Sequence, residues 1–501
     1  MRHRPPVQVL AVPASTPPSL PTAAVTSGRV LGSRFALLVA GRGGALVGAL
    51  ATTAMMTREL GPSGYGIYQA AVAYLSLVIL LVDFGLPNIF VREISTPGAD
   101  EPRLVGNALA LRLGVTLTAL LIAFSAVALL PFSREEARGI AYALPGFLAY
   151  SVHLLLFGLF QKHLKQAGVV LAELAGVVFL IASVYALCRA DASPAAFCAS
   201  LAASYLLVLA IALWFARRIV PIRLRFELPV WRAYLVSAIP LAGATTMTVL
   251  AFKSPTVLLA MLSSDDEVGR FGTSQQLFNS LMGISLLFIG LVAPSLARAA
   301  AGDRTALAST LQRSITALLL GGIAVALALA ALADPIITLL AGDAFVAAST
   351  TLRLFMPLFV VHSLSLLLRE AATAMHAQRR VAPYVALGLT ATLIGFVTLI
   401  PRLHGEGAVL ALLCGELLVA VGLLRELARQ GVCGVFGSKS MRSILSGGLG
   451  LLTMLLCGWA NLGPVLTLAL TSLAYAGALL LTGAVQVSEV RAMVSDVLDR
   501  N

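Results

Sequence analysis

The sequence predicts an all-α polytopic membrane protein, from its composition, the length of its apolar segments and the placement of its basic residues. Hydrophobic residues make up 59% of the 501 positions and charged residues only 12%, with a mean hydropathy of +0.93. Soluble domains carry about a quarter charged residues, so a soluble chain of this composition would lack the polar groups to cover its surface. Unpaired backbone groups are not tolerated in lipid, and an alternating barrel pattern is absent, so each span is expected to be a helix.

About fourteen segments reach the roughly 20 apolar residues that a transmembrane helix needs. They are residues 32–57, 66–91, 105–130, 140–160, 167–187, 195–216, 234–262, 268–296, 308–332, 348–371, 381–400, 406–427, 441–458 and 464–485. We expect two pseudo-symmetric six-helix bundles and an extra C-terminal pair of helices. The expected units are a disordered cytoplasmic tail (1–29), an N-terminal lobe (30–218), a basic cytoplasmic linker (219–233), a C-terminal lobe (234–430), the extra pair (431–485) and a cytoplasmic tail (486–501).

Basic residues are distributed unevenly between alternate loops, which indicates the orientation in the membrane. With the N-terminus inside, a single inside loop holds the five arginines Arg217, Arg218, Arg223, Arg225 and Arg232. All the predicted outside loops together hold Arg58, Arg134, Arg138, Arg189, Arg270 and Arg402. Cytoplasmic loops are enriched in Lys and Arg, so both termini are predicted to be cytoplasmic. The net charge of +12 is therefore a topology signal, and no nucleic-acid partner is expected because no basic domain is present.

A short motif occurs twice, at the junction of the first two spans and at that of spans seven and eight. Gly66 and Tyr68 of the first copy match Gly269 and Phe271 of the second, at an offset of 203 residues. Six spans separate the copies, so the two halves are predicted to be parallel repeats related by an axis along the membrane normal. Two such bundles enclose a central cavity, where a transporter holds its substrate.

The first copy also carries a family resemblance. Residues 60–68 (LGPSGYGIY), with 83–86 (DFGL) and 91–94 (VREI), resemble the polysaccharide flippases, the Wzx-like members of the multidrug/oligosaccharidyl-lipid/polysaccharide (MOP) exporter superfamily. The resemblance implies a two-lobed fold with alternating access and no covalent chemistry. It implies as substrate an undecaprenyl-diphosphate-linked oligosaccharide, flipped from the cytoplasmic to the outer leaflet of the bacterial inner membrane. Expected partners are this lipid-linked oligosaccharide, membrane lipid, and the polysaccharide polymerase and glycosyltransferases of the same pathway.

Two basic residues within spans are the first candidates for substrate binding. Arg42 lies in span one and Lys253 in span seven. A charge at mid-bilayer costs at least about 2.5–3.5 kcal/mol on insertion scales, so such a residue faces a cavity or a partner. We expect both to line the central cavity and attract the diphosphate. The alternatives are a structural ion pair with Glu173 or Glu416, or snorkelling to the interface.

Several neutral polar residues are further candidates. Gln275, Gln276 and Asn279 form one patch on span eight, and Gln69 and Tyr74 are weaker candidates on span two. Their side chains are suited to hydrogen-bonding sugar hydroxyls, and interhelical hydrogen bonding is an equally good explanation.

Glu173 and Glu416 lie inside spans and are candidates for coupling transport to a proton gradient, unless they pair with Arg or Lys. His153 and His362 are better explained as packing residues within helices. No Asp, Glu, His or Cys cluster has metal-ligand spacing, so no metal and no cofactor is expected.

Three other functions compete with this one. A lipid II flippase is a close relative, and a drug/cation antiporter of the same superfamily would need an acidic cavity. A membrane-embedded glycan polymerase or ligase would need an extramembrane surface for its catalytic groups. The largest predicted outside loop, near residues 333–346, spans about a dozen positions, so the protein is not expected to be an enzyme.

Overall fold

The computed structural model describes residues 28–83, 85–238 and 243–485, and these ranges contain fifteen α-helices and no β-strand. Nearly all of both predicted tails lies outside the described residues. Eleven helices of the described chain are long and apolar enough to cross a membrane. The helices are α1 Gly28–Asp83, α2 Leu86–Ile94, α3 Glu101–Val127, α4 Arg134–Lys162, α5 Gln166–Cys188, α6 Pro194–Arg217, α7 Leu228–Ala238, α8 Gly243–Leu262, α9 Asp265–Ala301, α10 Arg304–Ala331, α11 Ala333–Ala341, α12 Ala348–Ala374, α13 Gln378–Arg429, α14 Ser438–Trp459 and α15 Pro464–Leu481.

Two of the long helices are each broken once. In α1 the break is at Gly61 (φ 64°, ψ −176°), which glycine adopts without steric cost, and Pro62 follows it. In α13 the break is at His404 (φ 48°, ψ −126°), and Nδ1 of this histidine lies 2.9 Å from the hydroxyl of Ser263. The four halves correspond to the predicted spans 32–57, 66–91, 381–400 and 406–427. The number fourteen, which also needs the shorter α8 to cross, stays a prediction.

The segment predicted as the largest outside loop is not a loop. Residues 333–346 form α11 and a 3-10 turn, Asp343–Phe345. The side chains of Ile337 and Phe345 are fully buried, and the Phe345 ring meets Tyr65 edge-on at 6.2 Å between centroids. These apolar residues gain more by packing on the bundle than by lying in water, so the segment folds back as a short helix.

The repeated glycines bring the two lobes into direct backbone contact. A Cβ added to Gly66 would lie 1.8 Å from the carbonyl oxygen of Asp265, and one added to Gly269 would lie 2.1 Å from that of Pro62. Because Pro62 and Asp265 are themselves 203 residues apart, each copy of the motif touches the other in the same way. A twofold axis between the lobes produces this reciprocal contact, as the predicted repeat requires.

Among the described residues, the buried core shared by the two lobes lies at this end. One cluster contains residues of both lobes, including Met56, Tyr65, Phe271 and Phe355. A second cluster lies within residues 86–234 and a third within residues 289–435. The lobes therefore share one core at the Gly66–Gly269 end and have separate cores beyond it.

The extra helices α14 and α15 pack against α10 of the C-terminal lobe. The hydroxyl of Tyr475 donates to the carbonyl of Leu320 at 3.0 Å. Gly447 lies against Ile323, whose Cγ2 would be 2.7 Å from an added Cβ. These contacts attach the pair to the outside of the second bundle.

Candidate functional site

Lys253 lies near the middle of α8, and its side chain is exposed. It makes no hydrogen bond or ion pair with any described residue. One turn further along the helix, Thr256 and Val257 are buried, and α8 packs against α1 of the other lobe. Lys253 thus lies one turn from residues of α8 that are buried, on a helix that packs against α1. A free ammonium group at this depth requires a hydrated surface, because burial of an unpaired charge in lipid is costly.

Gln275 supports the turn that carries Lys253. Its amide nitrogen donates to the carbonyl of Phe252 at 3.0 Å, and its amide oxygen accepts from the hydroxyl of Thr256 at 3.0 Å. The amide therefore bridges α9 to α8 on both sides of Lys253. This is the interhelical bonding that the sequence left open as an alternative to sugar binding.

Gln276 and Asn279 are placed differently. Gln276 is half-buried and Asn279 is exposed, and neither side chain hydrogen-bonds to any part of the chain that the structure describes. Their amides are therefore available to a ligand, and their predicted role in binding sugar hydroxyls stays a prediction.

The polar groups of Gln69 and Tyr74 already have protein partners. The amide of Gln69 donates to the hydroxyl of Tyr65 at 2.7 Å and packs against Gly272 of the other lobe. The hydroxyl of the buried Tyr74 donates to the carbonyl of Ala123 at 2.7 Å. Both groups stabilise helix packing in this conformation.

The side chain of Arg42 lies outside the described residues, so its predicted role is not tested. The neighbouring Gly41 lies against α5, where an added Cβ would be 2.4 Å from Cγ1 of Val170. This close approach places the first half of α1 directly on α5.

The two coupling candidates are both paired. Oε1 of Glu173 lies 3.4 Å from Nε2 of His153. Glu416 is buried, and its Oε1 lies 3.2 Å from Nδ1 of His362 and 3.3 Å from Nη2 of Arg369. A buried carboxylate is tolerated when it has such partners, so pairing with an arginine describes Glu416 in this conformation. Glu173 is 49% exposed and its partner is a histidine, and the coupling role of both residues stays a prediction.

A further buried ion pair is not singled out by the sequence. Arg112, near the middle of α3, is 1% exposed, and its Nη2 lies 2.8 Å from Oδ1 of Asp83. Its Nε donates to the carbonyl of Ser151 at 3.2 Å. Arg112 falls within the predicted span 105–130 and Asp83 within 66–91, so a search for opposite charges at similar depth would have found them.

Comparison with known proteins decides the family. A family model described as polysaccharide biosynthesis protein matches residues 33–300, which is more than half of the chain. The chain belongs to this family. The match covers the predicted N-terminal lobe from residue 33 and continues through α8 and most of α9, so it includes Lys253 and both copies of the repeated motif.

Solved structures agree on the fold. The lipid II flippase MurJ in an inward closed conformation has a TM-score of 0.68 at 12% identity, with 88% of this chain and 97% of that chain covered. An inward-facing multidrug resistance MATE family transporter of the MOP superfamily has a TM-score of 0.58 at 13% identity, with 78% and 95% covered. A MOP superfamily transporter from Pyrococcus furiosus has a TM-score of 0.52 at 12% identity, with 79% and 96% covered. No curated protein matches this chain in sequence. The protein is a multi-pass membrane protein with the MOP transporter fold.

Proposed function

We propose that this protein is a flippase for an undecaprenyl-diphosphate-linked oligosaccharide, the repeat unit of an O-antigen or exopolysaccharide. It moves this lipid from the cytoplasmic to the periplasmic leaflet of the bacterial inner membrane. The observation that supports this best is the exposed ammonium of Lys253, in a helix that packs against the other lobe, with no ion pair to any described residue. A diphosphate is the part of such a lipid that needs a cation, and low-dielectric walls strengthen their attraction.

Alternating access follows from how the lobes meet. The predicted topology puts the Gly66–Gly269 contact on the periplasmic side and the separate cores on the cytoplasmic side. In this conformation the diphosphate enters from the cytoplasm and pairs with Lys253 and Arg42. Rocking of the lobes then breaks the glycine contact and opens the site to the other leaflet.

The neutral side chains act on the sugar and on the lysine. Gln276 and Asn279 offer amides to sugar hydroxyls within about one turn of Gln275 along α9. Gln275 is a positioning residue, since its amide nitrogen donates to the carbonyl of Phe252 and its amide oxygen accepts from the hydroxyl of Thr256, on both sides of Lys253 in α8. Binding through a diphosphate and a few amides tolerates different sugars, as a carrier of repeat units requires.

Lipid II is the second candidate substrate, favoured by the likeness to the lipid II flippase MurJ. It presents the same diphosphate to Lys253, so the two substrates differ in the pathway they serve. A drug/cation antiporter is less well supported, because the buried Glu416 is already paired with Arg369 and His362.

The test is glycan export in cells that lack the native flippase gene. Lys253→Ala and Lys253→Glu are expected to abolish surface polysaccharide, and Lys253→Arg to restore much of it. Arg298→Ala, at the far end of α9, is the matched control for loss of one positive charge. Equal membrane levels of all variants are checked by immunoblot.

Full export by both the alanine and glutamate variants would contradict the proposed role of the lysine. Loss of viability on depletion of the protein, with unchanged surface polysaccharide, would assign lipid II as the substrate instead.

A further inference from the structure

A second cavity lies away from the site between the lobes. It is an open cavity with a volume of about 520 Å³, lined by α10, α11 and α12 on one side and by the extra pair α14 and α15 on the other. Ligand pockets of proteins fall in the range of roughly 300–1,000 Å³. Its polar lining consists mainly of Asp334, Arg353, Asn461 and Thr467, none of which belongs to the transport site.

The cavity presents one positive and one negative charge side by side. Nη2 of Arg353 donates to Oδ2 of Asp334 at 2.6 Å, and the two side chains are 38% and 49% exposed. Nε of Arg353 donates to the carbonyl of Ala330 at 3.3 Å. A guanidinium carries five N–H groups, so donors remain free for a ligand. The second oxygen of Asp334 likewise has no hydrogen bond to any residue of the described ranges.

The cavity opens among exposed apolar side chains. Leu455 is 60% exposed and lines the cavity, and Val465 and Trp459 nearby are 75% and 86% exposed. Tryptophan is enriched at the membrane–water interface, at the level of the lipid headgroups. The charged pair therefore lies where a headgroup ends and acyl chains begin.

We propose that this cavity binds the headgroup of a zwitterionic aminophospholipid, with its phosphate on Arg353 and its ammonium on Asp334. A phosphate accepts hydrogen bonds from the free guanidinium N–H groups, and a primary ammonium donates to a carboxylate. Both charges of the protein pair are then matched. An anionic headgroup lacks the ammonium, and a choline headgroup has a quaternary ammonium without an N–H to donate to the carboxylate. The acyl chains lie along Leu455 and Val465.

The site adjoins the contact between the lobes. Arg58 of α1 donates from Nη2 to the carbonyl of Leu339 in α11 at 2.6 Å, and α11 carries Asp334 at its start. A lipid bound at Asp334 thus contacts the helix that connects the second lobe to the first. The bound lipid is therefore expected to support α11 at the end of the molecule where the two lobes meet.

Native mass spectrometry of the full-length protein measures the binding. Phosphatidylethanolamine, phosphatidylglycerol and phosphatidylcholine with the same acyl chains are titrated separately. Wild type is expected to bind phosphatidylethanolamine most tightly, and Arg353→Gln or Asp334→Asn to weaken it roughly tenfold, as the loss of one charged hydrogen bond predicts. Arg138→Gln is the matched control, since it breaks a similar exposed Arg–carboxylate pair with Glu135 in the other lobe.

Gly458→Phe tests the cavity without changing its charges. Gly458 lines the cavity and has open space at the position of a Cβ, so the ring fills the site while the fold is kept. Loss of phosphatidylethanolamine binding in this variant, with an unchanged Tm in detergent, supports the site. Equal binding by wild type and all three variants, or tighter binding of phosphatidylglycerol than of phosphatidylethanolamine, overturns the proposal.

Discussion

Replacing Gly66 by alanine is expected to prevent the lobes from closing at the end where they touch. The new Cβ would lie 1.8 Å from the carbonyl oxygen of Asp265, whereas ordinary van der Waals contact begins near 3.4 Å. The lobes must therefore separate by roughly 1.5 Å, and the atom in the way is backbone with no rotamer to change. Overpacking of this kind costs about 1–3 kcal/mol or more.

The cost falls on one conformation only. A cost of about 3 kcal/mol lowers the ratio of the conformation with the Gly66–Gly269 contact closed to the conformation with it open by roughly 150-fold. The substitution also raises the intrinsic helix propensity by about 1 kcal/mol, which favours folding in both conformations. The protein is thus expected to remain folded while export falls to a small fraction of wild type.

Spin labels on exposed residues of the two lobes at this end, at positions 138 and 346, measure the separation by double electron–electron resonance. Gly66→Ala is expected to shift the distance distribution to longer values, and Gly269→Ala to do the same. Gly290→Ala, on α9 with open space at its Cβ position, is the matched control and keeps the wild-type distribution. Unchanged distances and full export in Gly66→Ala would refute the tight contact and the closure built on it.

The remaining predictions concern the ion pairs and the positioning amide. Asp83→Asn leaves the guanidinium of Arg112 buried without its charged partner and is expected to lower the free energy of unfolding by about 3 kcal/mol. This value is the lower end for a buried pair, because Asp83 is partly exposed. An unchanged Tm in detergent would contradict this expectation. Hydrogen bonds from Arg103 and Asn107 hold the pKa of the Glu227 carboxyl below its ordinary value. Its contribution to stability is therefore complete above the ordinary pKa of about 4.3 and is lost as the pH falls through the lowered folded-state pKa. Between pH 6 and 3 the Tm of wild type should fall more than that of Glu227→Gln, and parallel curves would refute the link. Gln275→Ala should weaken substrate binding severalfold without loss of expression, and unaltered binding would remove its positioning role.

Much of the architecture can be predicted from the sequence, because the length and hydropathy of a segment indicate a spanning helix. The repeat of Gly66 at Gly269 is predictable too, and the structure adds the reason: each glycine admits the backbone of the other copy. The short α11 is not predictable in this way. Its nine residues begin with Ala-Asp-Pro, which is typical of a loop, and only packing against the bundle makes it a helix.

The candidate site is predictable in kind but not in arrangement. A lysine within a span predicts a cavity; Lys253 is exposed and unpaired among the described residues, and its place in a cavity stays a prediction. Whether an amide such as Gln275 faces a ligand or a neighbouring helix depends on the rotation of α9 about its axis. Hydropathy does not fix that rotation. The similar depth of Arg112 and Asp83 makes them candidate partners, and the structure shows that they meet across two helices.

Translocation by the purified protein in lipid vesicles tests the central claim most directly. Undecaprenyl-diphosphate-linked oligosaccharide with a fluorescent sugar is placed in both leaflets, and a membrane-impermeant quencher reports the fraction that reaches the outside. Vesicles with wild-type protein are predicted to lose nearly all fluorescence, whereas vesicles with Lys253→Ala are predicted to retain the inner-leaflet half, as protein-free vesicles do. Equal translocation by wild type and Lys253→Ala would contradict the account.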